Sequence, residues 1–264
     1  MLDHSKIPVF VLCGGLGTRL REQTEFRPKP MIEIGRHPIL WHIMHTYARH
    51  GFKRFVLCLG YKAETIKEYF LHYASLNSDF TVELATNNLT MHSIGHSDDW
   101  TVTLADTGER TLTGARVARA AATYLHDSEY FAVTYGDGLT NADLAAEFRF
   151  HVEHARVGTV LGVNPPSRFG EIKLAGHEVL EFEEKPDFAE KWINGGYFFF
   201  RREFLKYLST DESCVLEQAP LVKLAADGQL SMYKHEGFWH CMDSQRDYES
   251  LNQLWQTGAA PWRA

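Results

Sequence analysis

Three glycines, a threonine, an arginine and a lysine lie close enough along this chain to grip a polyphosphate. Gly14, Gly15 and Gly17 are followed directly by Thr18 and Arg19, and Lys29 sits further on between Pro28 and Pro30. Glycines let the backbone take positive φ and let a ligand approach the amides without a Cβ in the way. Successive N–H groups aimed into one concavity make an anion site. The loop is not a P-loop, because no Gly-Lys-Ser/Thr follows the glycines. It is not a dinucleotide fingerprint either, since Leu20 stands where the third glycine would be. A second candidate is Asp137, flanked by Gly136 and Gly138 directly after the apolar run Tyr130–Tyr135. A carboxylate at a strand's carboxyl end can reach Mg²⁺, which takes hard oxygens from one or two carboxylates and substrate phosphates. Asp-Gly is also an ordinary turn pair. Asp243, closing the apolar segment Gly237–Met242, is a second acid of the same kind.

These residues need elements to hold them. Val9–Cys13 has the length and β-branched character of a buried strand and empties into the glycine loop. Ile39–Gly51 shows helical spacing and ends on a glycine suited to a helix C-terminus. Phe55–Gly60 reads as a buried strand and Ala63–Tyr73 as a helix. Alternation at this length predicts right-handed βαβ units and a mostly parallel sheet, with ligands at the carboxyl ends of its strands. Phe80–Ala85 and Trp100–Ala105 read as strands, with a polar excursion over Thr86–Asp99. Two Thr-Gly pairs, Thr107-Gly108 and Thr113-Gly114, precede a helix over Ala115–Tyr124. Their hydroxyls and bare amides could read a nucleobase edge; they equally make two turns and an N-cap. Helices follow over Leu144–His154, Glu203–Leu208 and Leu221–Asp227, and strands over Thr159–Val163 and Val179–Glu184. Pro165–Glu171 is a rigid turn carrying Arg168 and Gly170. Gly195 and Gly196 interrupt the buried strand Trp192–Phe200, and such interior glycines mark close approach by a ligand or by backbone. Ser244 caps a last helix running to about Thr257.

The 264 residues suit one large α/β domain, with a core over about 7–243 and a terminal helix over about 244–257. Apolar content of 44% and charged content of 23% are ordinary for a globular protein. A net charge of −7 argues against nucleic acid or an anionic membrane as partner, so a phosphate site must be a local basic focus. No apolar run has the length of a membrane span, and the N-terminus does not read as a signal peptide. Cys13, Cys58, Cys214 and Cys241 have no zinc-type spacing and read as reduced thiols of a cytoplasmic protein. The fourteen histidines also lack a tight ligand spacing.

Gly14–Leu20 with Pro28–Met31, Ile39–Met44, Tyr135–Gly138, Arg168–Gly170, Glu184–Pro186, Asn194–Gly196 and Gly237–Trp239 with Met242-Asp243 stand in one order along the chain. In this the chain resembles the nucleotide-sugar pyrophosphorylases, which join a sugar 1-phosphate to a nucleoside triphosphate. Ile39–Met44, the Leu-x-Asp-Thr-Gly element at 104–108 and Gly-Phe-Trp-x-x-Met-Asp point to the cytidylyl branch that acts on glucose 1-phosphate. The resemblance implies a Rossmann-like nucleotidyltransferase fold with small β elaborations, Mg²⁺ dependence, a cytoplasmic location and a homo-oligomer, often a hexamer in that branch. It further implies that Leu12, Gly14, Gly15, Gly17, Thr18, Arg19 and Lys29 hold the triphosphate end of CTP, with Thr113, Gly114 and Arg116 near the base and phosphates. By the same resemblance Asp137 and Asp243 bind Mg²⁺. Lys185 meets the sugar phosphate, and Arg168, Gly170, Glu184, Asn194 and Gly195 lie on the sugar side. Arg19, Lys29 and Lys185 would carry the catalysis.

The chemistry matches those residue types. A sugar phosphate is already ionised at neutral pH and attacks the α-phosphorus of CTP without a strong general base. What must be overcome is repulsion between two anions, so positioning and electrostatic stabilisation are the expected means. The chain departs from the family pattern at Cys13, Arg27, Ala115, Leu216–Pro220 and His240-Cys241. Transfer onto another phosphorylated acceptor, or use of another nucleotide, is the near alternative. A nucleotide-sugar-dependent glycosyltransferase or a non-catalytic sensor is the distant one; the first would not need the intact glycine loop and Lys29, and loss of Asp137, Asp243 or Lys185 would favour the second, yet all three are present.

Overall fold

The computed structural model describes residues 2–15, 24, 27–92, 98–165, 171–175, 177–183 and 192–263. Its centre is a seven-stranded sheet built from β1 (Pro8–Leu12), β2 (Arg54–Leu59), β3 (Thr101–Asp106), β4 (Tyr130–Tyr135), β6 (Gly158–Val163), β7 (Ile193–Arg201) and β8 (Leu230–His235). Two short strands, β5 (Gly138–Thr140) and β9 (Trp239–Cys241), lie outside it. The order across the sheet is β8-β6-β7-β4-β1-β2-β3. Only β7 runs antiparallel to its neighbours; the other pairings are parallel, as the alternation of strands and helices predicts.

β1 is central and every one of its residues is buried. That is why it reads as a continuous apolar run rather than an alternating one. Its side chains still alternate by face. Val9 and Val11 join the layer formed with α1 (Ile39–Arg49), α4 (Leu144–His154) and α6 (Gln245–Gln256). Phe10 and Leu12 join the opposite layer, formed with α3 (Thr113–Tyr124) and α5 (Ala219–Ala226). Helices therefore cover both faces of the sheet, and the carboxyl ends of β1, β2 and β4 open together on one edge. A further helix, α2 (Ala63–Leu71), follows β2. Among the described residues no helix is long and apolar enough to cross a membrane.

Three expectations are revised. The excursion expected over Thr86–Asp99 begins as the second strand of a hairpin, Asn88–Met91, paired antiparallel with Phe80–Glu83. Asn87, at φ +59°, supplies the left-handed turn residue, a conformation asparagine tolerates. The segment Leu230–His235 is an edge strand that the sequence does not announce. It has one sheet neighbour and half-exposed side chains, so it lacks a buried-strand pattern. The helix expected from Ala115 begins two residues earlier, at Thr113, because the 214–216 segment satisfies its first turn.

Among the described residues, one buried carboxylate is left with neither oxygen hydrogen-bonded. Glu147 on α4 is fully buried, and neither carboxylate oxygen has a hydrogen-bond partner among the described residues. Burial pushes its pKa well above the ordinary carboxyl value, so the folded protein keeps it protonated. A raised carboxyl pKa contributes stability that is full below the unfolded value, near 4.5, and is lost as pH rises toward the folded one. Glu147→Gln removes that dependence. We expect its stability advantage over wild type to grow with pH above about 4.5, by up to about 1.4 kcal/mol per pH unit. Urea unfolding of both proteins at several pH values checks this; a pH-independent difference would discard the assignment.

Candidate active site

The site starts from a strand register. β5 and β9 pair antiparallel with Gly138 opposite Cys241, which puts Asp137 opposite Met242. The Met242 amide donates to the Asp137 carbonyl at 2.9 Å, fixing the turn after β4 against the segment before α6. Asp243 is the next residue, so the two acids predicted from the middle and the end of the chain come together. Lys29 reaches both. Its Nζ lies 2.6 Å from Asp137 Oδ2 and 2.7 Å from Asp243 Oδ1. The lysine is carried on a single helical turn, Lys29–Met31, entered from Pro28.

The surroundings fix this trio. Burial works against the Lys29 charge, but Asp137 and the hydrogen bonds to both carboxylates outweigh it, and the ammonium pKa lies above its ordinary value. Asp243 is held from below by the α6 N-terminus. Ser244 and Asp247 form a capping box there. Asp247 Oδ2 also accepts from the Asp243 amide at 3.1 Å, and Asp247 Oδ1 lies 3.2 Å from His240 Nε2. A thiol completes the group: Cys241 Sγ and one oxygen each of Asp137 and Asp243 lie within 4.8 Å of one another. Two convergent carboxylates suit a divalent cation. Burial, with the Asp137 carboxylate adding to it, raises the Cys241 pKa, so the group is a neutral thiol.

On the other side of β1, Arg116 organises the loops. It is 4% exposed, and its guanidinium nitrogens lie 2.8–3.1 Å from the carbonyls of Leu59, Gly108, Gly14 and Glu109 and from Thr107 Oγ1. Gly14 is required here: a Cβ on it would fall 2.2 Å from the guanidinium carbon. Further out, four side chains make one hydrogen-bonded chain. The Asn194 amide donates to Tyr135 Oη at 3.2 Å, and Tyr135 Oη donates to Glu217 at 2.6 Å. Thr113 Oγ1 donates to the other Glu217 oxygen at 2.8 Å. Gly196 takes φ +79° and lies directly under the Tyr135 ring, where a Cβ would come within 2.4 Å of a ring carbon. The close approach at Gly196 is thus made by a protein ring, and that at Gly195 by the Leu161 carbonyl and the Val163 side chain. The Gly195 carbonyl accepts from Trp239 Nε1 at 2.7 Å, tying this end to β9.

A family model described as nucleotidyl transferase matches residues 9–252. The chain belongs to the nucleotidyl transferase family. A glucose-1-phosphate cytidylyltransferase of Salmonella typhimurium is 44% identical over 253 residues, which cover 96% of this chain and 97% of that one. A candidate enzyme of the same name from Bacillus subtilis is 39% identical over 96% of this chain and 98% of its own. The crystal structure of HddC from Yersinia pseudotuberculosis shares the fold, with TM-score 0.62 and 21% identity over 94% of this chain and 99% of that one.

For a nucleotidyl transferase, the predicted residues fall into three groups. Lys29, Asp137 and Asp243 meet directly. Leu12, Gly14 and Gly15 lie at the carboxyl end of β1, beside Tyr135 of the neighbouring strand. Thr113, Asn194 and Gly195 join the Tyr135–Glu217 chain or its edge, and Gly114 is buried against Cys214, to whose carbonyl its amide donates. Gly17, Thr18, Arg19, Arg168, Gly170, Glu184 and Lys185 lie outside the described residues. Arg116, expected beside base and phosphates, has its guanidinium directed to protein acceptors, because three loops end around it with carbonyls that need donors. Sequence reasoning missed Tyr135, Glu217, Cys241 and Asp247. Asp247 was legible, since Ser-x-x-Asp is a capping-box spacing. Glu217 was met only within Leu216–Pro220, a segment singled out for its departure from the family pattern.

The placement of Arg116 makes a prediction about stability. Arg116→Lys keeps the charge but cannot supply the planar set of donors. Buried carbonyls lose their partners, and we expect a loss of roughly 2–4 kcal/mol, read by urea unfolding without nucleotide. Unchanged stability with weakened CTP binding would instead make Arg116 a phosphate ligand.

Proposed function

We propose that this protein transfers a cytidylyl group from CTP to glucose 1-phosphate, giving CDP-glucose and pyrophosphate. One observation supports this above the others: Lys29, Asp137 and Asp243 converge at the strand-end edge, next to the glycine loop. The 44% identity to a glucose-1-phosphate cytidylyltransferase over nearly the full length of both chains supports the choice of nucleotide and sugar.

The sugar phosphate oxygen attacks the α-phosphorus in line, and pyrophosphate leaves. Asp137 and Asp243 would hold Mg²⁺, whose contribution when bound is to neutralise phosphate charge and orient the triphosphate. Lys29 keeps the two acids side by side before substrate arrives and then presents its ammonium to the phosphates, with Arg19 gripping the triphosphate. Lys185 meets the sugar phosphate. The Thr113–Glu217–Tyr135–Asn194 chain links the region assigned to the base with that assigned to the sugar. It fixes Thr113 and Asn194 relative to each other, with Gly114 at the start of α3 and the Gly195 carbonyl accepting from Trp239 of β9. The protein works in the cytoplasm. As a partner it needs only copies of itself. Leu71, Leu76, Phe80, Val82, Leu84 and Leu89 are exposed, Leu84 at 88%, and this much apolar surface on one stretch of chain supports a homo-oligomer, a hexamer being the form expected.

The test is pyrophosphate release with Mg²⁺ and glucose 1-phosphate, supplying CTP, UTP, dTTP, GTP and ATP separately. Release with CTP alone is expected. Release with another nucleotide and none with CTP overturns the base assignment; none at all, from folded protein that binds CTP, overturns glucose. Asp137→Asn and Lys29→Ala should each lower kcat by roughly a hundredfold or more, with the circular dichroism spectrum unchanged. Light scattering at micromolar concentration checks the assembly, and a monomer mass would discard it.

A further inference from the structure

The turn that carries Asp137 has a second tether, and it comes from the core. β7 runs antiparallel beside β4, with Tyr197 opposite Thr134 on the strand that leads into Asp137. Tyr197 is followed by Phe198, Phe199 and Phe200, so one hydroxyl stands in a run of phenyl rings. The residue is 1% exposed and shares its layer with Val9, Val11 and Phe199. A buried phenol needs a partner for its O–H. Tyr197 Oη donates to the Gly138 carbonyl at 2.7 Å. Its ring is held by the Tyr47 ring stacked on it, with centroids 5.7 Å and planes 24° apart.

Strand pairing explains why that carbonyl needs a side chain. Opposite residues of an antiparallel pair alternate between those that exchange hydrogen bonds and those that do not. The Met242 amide donates to the Asp137 carbonyl, so the next pair, Gly138 and Cys241, is of the second kind. The Gly138 carbonyl therefore turns away from β9, and the Tyr197 hydroxyl meets it. Gly138 has no Cβ to restrict its own backbone. Hydrogen bonds to the Asp137 and Gly138 carbonyls hold the peptides on both sides of it. We propose that Tyr197 is a positioning residue for the transfer: its hydroxyl fixes the Gly138 peptide, and with it the direction in which Asp137 presents its carboxylate. Without that hydroxyl β5 keeps its pairing with β9, but the turn before it loosens and the carboxylate loses its fixed place beside Asp243. The inference rests on reading Asp137 as a ligand of the divalent cation.

Tyr197→Phe removes one oxygen and keeps the ring and its stack. Mn²⁺ added alone to the full-length wild type, Tyr197→Phe, Tyr47→Phe and Asp137→Asn reads the site by electron paramagnetic resonance, without turnover. Groups that hold a metal ligand from behind are typically worth roughly 10- to 100-fold in metal affinity or activity, and we expect Tyr197→Phe to weaken Mn²⁺ binding by about that factor. Tyr47→Phe takes a buried hydroxyl from the same stack without touching the turn, and should bind Mn²⁺ as wild type does. With saturating Mg²⁺ and CTP, kcat should fall in Tyr197→Phe while the KM for glucose 1-phosphate is unchanged. Mn²⁺ affinity equal to wild type in Tyr197→Phe but weakened in Asp137→Asn overturns the role of Tyr197 and leaves the reading of Asp137 standing. Affinity equal to wild type in Asp137→Asn overturns both. Equal losses in Tyr197→Phe and Tyr47→Phe make the effect one of core packing and overturn the proposal. Hydrogen exchange in wild type needs no variant: if the turn is held from the core, the Met242 amide exchanges as slowly without metal as with it. An amide protected only after Mg²⁺ is added overturns the proposal.

Discussion

Two carboxylates that must stand side by side are the constraint on which this structure turns. Oxygens of Asp137 and Asp243 lie within 4.8 Å, where like charges repel by roughly 3 kcal/mol at an effective dielectric near 20. The fold answers in two ways. Backbone pairing between β5 and β9, with the Met242 amide on the Asp137 carbonyl, brings the acids together without asking the side chains to attract. Lys29 then makes their closeness tolerable, one ammonium between both carboxylates. The lysine comes from near the start of the chain, Asp137 from the middle and Asp243 from near the end. Closing this contact therefore requires β1, β4 and the α6 N-terminus to be in place together.

How much of this was legible follows from where the information sits. β1 could be read because a central strand buried on both faces must be apolar throughout, and Gly-Asp-Gly after Tyr130–Tyr135 could be placed because a strand end is a local feature. Leu230–His235 could not be read, because an edge strand with half-exposed residues lacks the apolar run that burial imposes. Glu217 is a different failure. Its function in the fold is to accept from Tyr135 and Thr113, and neither is near it in sequence. The lysine's position between the acids was also beyond local reading, since it depends on one pairing register.

The glycines show that a close approach read from sequence can be met by the protein itself. Small residues at 14 and 196 do mark close approach, as the sequence suggests. At Gly14 the approaching group is the Arg116 guanidinium, and at Gly196 it is the Tyr135 ring. Gly15 has no neighbour within 4 Å of its notional Cβ among the described residues, and it is exposed. So within one loop, Gly14 is spent on internal packing and Gly15 is left facing outward. Arg116 holds the Gly14 carbonyl, which stiffens the loop from behind and leaves its outward amides to be set by the chain's own geometry.

Charge at the strand-end edge sets a further condition on what can bind. One ammonium against two carboxylates leaves Lys29, Asp137 and Asp243 at −1, on a chain whose formal net charge is −7. A triphosphate approaching that trio alone would meet a net negative group. A divalent cation held by Asp137 and Asp243, as proposed, would bring the group to +1 and would free the lysine to face the phosphates. Cation and polyphosphate affinities are then coupled, each raising the other by the same factor, because linkage between two ligands on one protein is reciprocal. On the proposed roles the lysine would carry that coupling, bound to the acids as it is here and available to an anion once a cation took its place.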